Sequence, residues 1–198
     1  MAEMMLFHHA QGQTNGFLAF ADELREAGHT VHAPDLYEGR TFDDLDEGVA
    51  HAGKEVGFGE ILRRGTAAAE ELPADIVYAG FSLGAMPAQS LAQTRPGTRG
   101  ALLYSAALPP SEFGGPWPEG VPLQIHMMDA DPWGEEDRPV AETLVAETGG
   151  AAELFLYPGT GHLFADPSLK DYDEEAAGLL KQRTLVFLDR VASTRPQR

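Results

Sequence analysis

The 198-residue chain has no cysteine, which excludes disulfides, thiolate metal sites and a thiol nucleophile. Basic residues are scarce: 14 Lys and Arg stand against 31 Asp and Glu, a net charge of −17. Nucleic acids and anionic membranes are bound through clustered cations, so neither is expected as a partner. No run approaches the roughly 18 to 20 apolar residues of a membrane span. The segment from Met1 to Phe7 carries an acid and no basic n-region, as expected of a cytoplasmic, complete chain without a leader. Internal repeats and linker-like stretches are also missing. The expectation is one domain over residues 1–194, followed by a flexible tail at 195–198. With 43% hydrophobic residues, a chain of this size can bury about 70% of its unfolded surface in one core.

Against this background one motif stands out. Gly80-Phe81-Ser82-Leu83-Gly84 follows the β-branched run Asp75 to Ala79 and opens the helical stretch Ala85 to Gln93. A GxSxG between strand and helix marks a strained elbow that lifts a hydroxyl out of the backbone. Ser82 is therefore the candidate nucleophile, and its flanking glycines are expected where a tight turn leaves no room for Cβ atoms.

Strand-like and helix-like segments alternate along the rest of the chain. Strands are expected at Met4 to His8, Thr30 to Ala33, Asp75 to Ala79, Gly100 to Tyr104, Pro122 to His126 and Glu153 to Tyr157. Helices are expected at Phe17 to Ala27, within Glu55 to Leu72, at Ala85 to Gln93, Pro139 to Glu147 and Glu174 to Val191. Such alternation predicts an α/β fold, a mostly parallel sheet of about six strands with helices on both faces. Ligands then bind beyond the carboxyl ends of the strands, and the chemistry-bearing loops fall there. His8 to Gly12 follows the first strand, Ser82 the third, Met127 to Trp133 the fifth and Pro158 to Phe164 the sixth.

Nucleophile, acid and histidine thus occur in the order Ser, Asp, His, the chain order of an α/β-hydrolase triad. His162, in a Gly-rich loop, is the candidate base. Asp129 and Asp131 both sit just past a strand end. Asp131 is favoured, being carried further from the strand and stiffened by Pro132. The oxyanion donors are expected to be the backbone N–H groups of Leu83 and Ala10, with Gln11 as the neighbouring choice. Two long loops, 37–57 and 106–120, are candidate pocket walls; Gln11, Phe113, Trp117 and Trp133 are the candidate substrate contacts. His29 and His32 lack accompanying ligands, and no metal or organic cofactor is expected.

Over nearly its whole length the sequence resembles the dienelactone hydrolase family. The residues that carry the resemblance are His8-His9-Ala10-Gln11-Gly12, Leu24-Arg25-Glu26-Ala27-Gly28-His29, Ala33-Pro34-Asp35-Leu36-Tyr37, the elbow through Ala85, Asp131-Pro132 and Gly161-His162-Leu163-Phe164. The resemblance implies a compact fold without a large lid, cofactor-free hydrolysis of a small-molecule ester or lactone, and a triad of Ser82, Asp131 and His162. Two positions depart from it: family members that open dienelactone present a cysteine where this chain has Ser82, and a glutamate where it has His9. Arg40, Arg63 and Arg64 are the candidates for holding a substrate carboxylate. The expected activity is acyl-enzyme hydrolysis. Acyl transfer or perhydrolysis on the same triad, and a non-catalytic ligand-binding domain, are the alternatives.

Overall fold

The computed structural model describes residues 1–194; the expected tail at 195–198 lies outside the described residues. Six strands, β1 (Glu3–Phe7), β2 (Thr30–His32), β3 (Val77–Phe81), β4 (Gly100–Tyr104), β5 (Leu123–Met128) and β6 (Ala152–Tyr157), form one sheet. Their order is β2-β1-β3-β4-β5-β6, and every neighbouring pair is parallel. Central strands buried on both faces read as apolar runs, and β3, β4 and β5 are buried throughout.

Alternation along the strands sends side chains to two separate cores. Met5, Phe7, Tyr78, Leu103 and Ile125 face α3 (Phe58–Glu70), α4 (Ala85–Thr94) and α5 (Asp137–Glu147). Met4, Leu6, Ala79, Leu102 and Tyr104 face α1 (Asn15–Glu26) and α6 (Glu174–Ser193). The chain steps outward from β1 to β2, then back past β1 to β3. That reversal opens a crevice at the carboxyl ends of β1 and β3, where loops from both strands meet.

One expected loop is largely helical. Within 37–57, Asp44 caps α2 (Leu45–Ala50), which runs on into a π-helical turn at His51–Val56. Gly57, at φ 90°, ends it and separates it from α3, so the helix expected within Glu55 to Leu72 begins at Phe58. Acid-rich composition hid α2. Its apolar residues Leu45 and Val49 lie on one face and pack with Ala10, Leu83 and Leu163. The stretch 106–120 holds only a short 3₁₀ turn, Pro110–Phe113.

Two core histidines tie stability to pH. Burial lowers the His8 pKa to about 4 and that of His126 to about 3. Both stay neutral in the fold while the unfolded chain protonates them, so the unfolded state gains protons as pH drops. Stability is expected to be full above about pH 6.5 and to decline toward pH 4, by about 1.4 kcal/mol per pH unit for each imidazole. Urea unfolding at a series of pH values checks this; a flat profile from pH 7 to 4.5 contradicts it.

Candidate active site

The elbow follows β3 directly. Ser82 has φ 49°, a left-handed conformation that costs a non-glycine residue of order 1–3 kcal/mol and persists only where its surroundings enforce it. The flanking glycines are the enforcement. A Cβ on Gly80 would lie 2.0 Å from the Gly84 carbonyl oxygen, and one on Gly84 would lie 2.5 and 2.6 Å from those of Phe7 and His8. Gly84→Ala is accordingly expected to destabilise the fold by about 3 kcal/mol, the upper end of overpacking costs, because backbone cannot step aside as a side chain can. Urea denaturation measures it, and a loss under about 1 kcal/mol would mean that β1 and the elbow can separate.

From this elbow Ser82 Oγ lies 2.7 Å from His162 Nε2, and His162 Nδ1 lies 2.6 Å from Asp131 Oδ2. Asp131 is an acceptor, so the imidazole proton sits on Nδ1 and leaves Nε2 to accept from the serine hydroxyl. Asp131 is itself fixed: its Oδ1 accepts the Trp133 N–H at 2.9 Å, closing a turn on the loop after β5. Asp129 points elsewhere. It is exposed and accepts the Gly159 N–H at 3.0 Å, joining the ends of β5 and β6. The structure therefore brings Ser82, His162 and Asp131 into one hydrogen-bonded chain and leaves Asp129 outside it.

The other predicted residues divide. Ala10 is buried beside the elbow, clustered with Leu83 and Leu163, and its N–H enters no backbone pairing among the described residues. Leu83 lies in the short 3₁₀ turn Ser82–Gly84, whose leading N–H groups have no intrahelical acceptor. The Gln11 N–H is taken by His9 Nδ1 at 3.2 Å, and its side-chain amide donates to the Phe42 carbonyl at 2.9 Å. Gln11 thus anchors the segment before α2. Trp133 is 46% exposed, its ring 6.1 Å from that of His162.

Trp117 does not line an opening: it is buried in the α4 and α5 core and donates its indole N–H to the Val121 carbonyl at 2.8 Å. Phe113 belongs to a loop beside a surface depression that reaches Glu147, the far end of α5, about 15 Å along the helix from Asp137. Aromatic character in a sheet-edge loop marked both residues, but the loop folds back on the helices. Arg63 and Arg64 are paired with Glu60 on their own helix at 2.7 and 3.0 Å, and Arg64 also reaches Glu38 at 3.1 Å. Arg40 is exposed after Tyr37.

Two contributors carried no sequence signal. Ser105, at φ 62° just past β4, donates its hydroxyl to the His162 carbonyl at 2.6 Å and so grips the histidine from behind. Asp137, at the start of α5, feels the charges of His162 and Asp131, and burial raises its carboxyl pKa. Among the described residues no group of three or more His, Asp or Glu side chains could hold a metal ion, and no helix is long and apolar enough to cross a membrane.

The model of the dienelactone hydrolase family matches residues 3–192. The chain belongs to the dienelactone hydrolase family. No curated protein matches the sequence, whereas solved structures share the fold. A dienelactone hydrolase-like promiscuous phosphotriesterase from metagenomic libraries superposes with a TM-score of 0.75 at 15% identity, covering 96% of this chain and 87% of that one. The dienelactone hydrolase of Anabaena variabilis gives 0.67 at 16%, covering 96% and 86%. The thioesterase domain of the curacin biosynthetic pathway gives 0.61 at 16%, covering 93% and 90%. Family membership makes this chain a hydrolase, and its compact six-stranded parallel sheet superposes on those structures.

Proposed function

We propose that this hydrolase cleaves carboxylic esters or lactones through an acyl-enzyme on Ser82. The observation that carries the reading is the continuous chain Ser82 Oγ, His162 and Asp131 at 2.7 and 2.6 Å, set on an elbow that holds Ser82 at φ 49°. His162 Nε2 takes the hydroxyl proton as Oγ attacks the carbonyl carbon. The tetrahedral oxyanion receives the N–H groups of Leu83 and Ala10. Collapse expels the alcohol oxygen, which His162 protonates. Water, deprotonated by the same imidazole, then releases the acid and restores Ser82. Asp131, on His162 Nδ1, stabilises the imidazolium formed in both halves. In a lactone the leaving oxygen stays tethered, and the product is one hydroxy acid.

Trp133, exposed with its ring 6.1 Å from that of His162, offers an apolar face to a largely uncharged substrate. Attack by the same Oγ on phosphorus provides the test. A fluorophosphonate should add one adduct to the intact mass, mapped by peptide analysis to Ser82 and lost in Ser82→Ala. An unlabelled wild-type protein, or a label elsewhere, would refute the nucleophile.

A further inference from the structure

Beside the Ser82 chain lies a second buried histidine–aspartate pair, which exchanges no proton in the steps proposed above. His9 Nε2 is 3.0 Å from Asp166 Oδ2, with the two side chains 2% and 5% exposed. The pair joins both sides of the site: His9 directly precedes Ala10, and Asp166 follows His162 by four residues. The second ring nitrogen, His9 Nδ1, lies 3.2 Å from the Gln11 backbone nitrogen. A backbone N–H can only donate. Nδ1 must therefore accept, and the ring proton sits on Nε2, directed at Asp166.

Asp166 is an acceptor on both oxygens. Oδ2 takes His9 Nε2–H and the Thr14 hydroxyl; Oδ1 takes the Ser168 N–H at 2.8 Å and its hydroxyl at 2.6 Å. Burial alone would raise its carboxyl pKa, but the hydrogen bonds from His9, Ser168 and Thr14 outweigh it and hold the value at about 2. The group is a carboxylate throughout the neutral range.

We infer that His9 and Asp166 are positioning residues for the oxyanion site: Asp166 selects the His9 tautomer, and that tautomer's Nδ1 pins the Gln11 amide, closing a ring across Ala10 that aims the Ala10 N–H. The inference rests on the serine hydrolase reading. Two further contacts leave Ala10 little freedom. The Gly12 N–H binds the His9 carbonyl at 3.0 Å, and Gly48 of α2 sits so close that a Cβ there would be 2.3 Å from the Ala10 oxygen.

Asp166→Asn turns one acceptor oxygen into a donor. With the amide NH₂ toward His9, the ring must accept at Nε2 and carry its proton on Nδ1, which then confronts the Gln11 N–H. For a p-nitrophenyl ester kcat should fall about 10- to 100-fold, the usual cost of losing an orienting partner, with KM little changed. His9→Leu, which removes the acceptor, should fall alike. His9→Asn should stay near wild type, because its side-chain oxygen can take the place of Nδ1 and needs no tautomer chosen for it. In that background Asp166→Asn should cost no further activity.

A purely structural role predicts something else: lower melting temperatures with kcat intact below them, or an equal Asp166→Asn loss in both backgrounds. Either result overturns the inference. Should Asp166→Asn fail to fold, the contrast between His9→Leu and His9→Asn decides. An inactive Ser82→Ala beside a fully active His9→Leu refutes only the positioning role, whereas an active Ser82→Ala removes the serine hydrolase reading itself.

Discussion

Ser82→Ala is expected to lower kcat for an activated ester by about 10⁶-fold, the scale on which serine hydrolases lose turnover with their nucleophile. The fold should hardly notice. Among the described residues Ser82 Oγ hydrogen-bonds His162 Nε2 alone, and alanine occupies the left-handed backbone no worse than serine does. His162 keeps Asp131 on Nδ1 and Ser105 on its carbonyl, so the imidazole stays in place and only the attacking atom is gone. Stopped kinetics with p-nitrophenyl acetate and a thermal melt measure both halves. Turnover near the wild-type rate would remove Ser82 from the mechanism, and a collapsed melt would show that the elbow depends on the hydroxyl.

The second large effect separates two aspartates two residues apart. Asp131→Asn should reduce kcat by about 10⁴-fold through the wrong imidazole tautomer. The reason can be read from its neighbours. Asp131 Oδ1 accepts the Trp133 N–H, so an amide at this position keeps its oxygen there and turns NH₂ toward His162 Nδ1. The ring proton is then driven to Nε2, which confronts the Ser82 hydroxyl as a donor and can no longer accept its proton. Asp129→Asn faces no such conflict. Its Oδ1 accepts the Gly159 N–H at the surface, and an amide oxygen does the same, so activity should stay near wild type. Steady-state kinetics on both variants decide the matter; the opposite ranking would transfer the acid to Asp129.

Much of this was legible in the sequence because it is locally encoded. Alternating periodicities yield six strands and their helices. The elbow lies within five consecutive residues, and its glycines are required by contacts that the turn itself creates. Carboxyl-edge loops follow from strand ends, which puts Ser82, His162 and both aspartates on one side of the sheet. Boundaries moved where local signals conflict. The acid-rich stretch 37–57 reads as a long loop and a candidate pocket wall, yet α2 forms within it because Leu45 and Val49 find an apolar partner in Ala10, Leu83 and Leu163.

What only the tertiary structure decided are the pairings between distant segments. Strand order places β3 between β1 and β4, so the loops after β1, β3, β4, β5 and β6 converge although they are up to about 150 residues apart. Asp131 rather than Asp129 meets His162 because two carboxylates on one loop point in different directions, and spacing does not record direction. The meeting of His9 with Asp166, 157 residues away, is invisible to any periodicity, as is the grip of Ser105 on the His162 carbonyl. Trp117 looked like a pocket wall and became core, because an indole folded onto α4 and α5 buries its rings and still finds a carbonyl for its N–H. Sequence by itself determined the kind of sheet, the edge where its loops collect and the residues from which the proposed triad is drawn. Side-chain direction and long-range hydrogen bonding, which depend on how elements cross and pack, determined which of those residues touch.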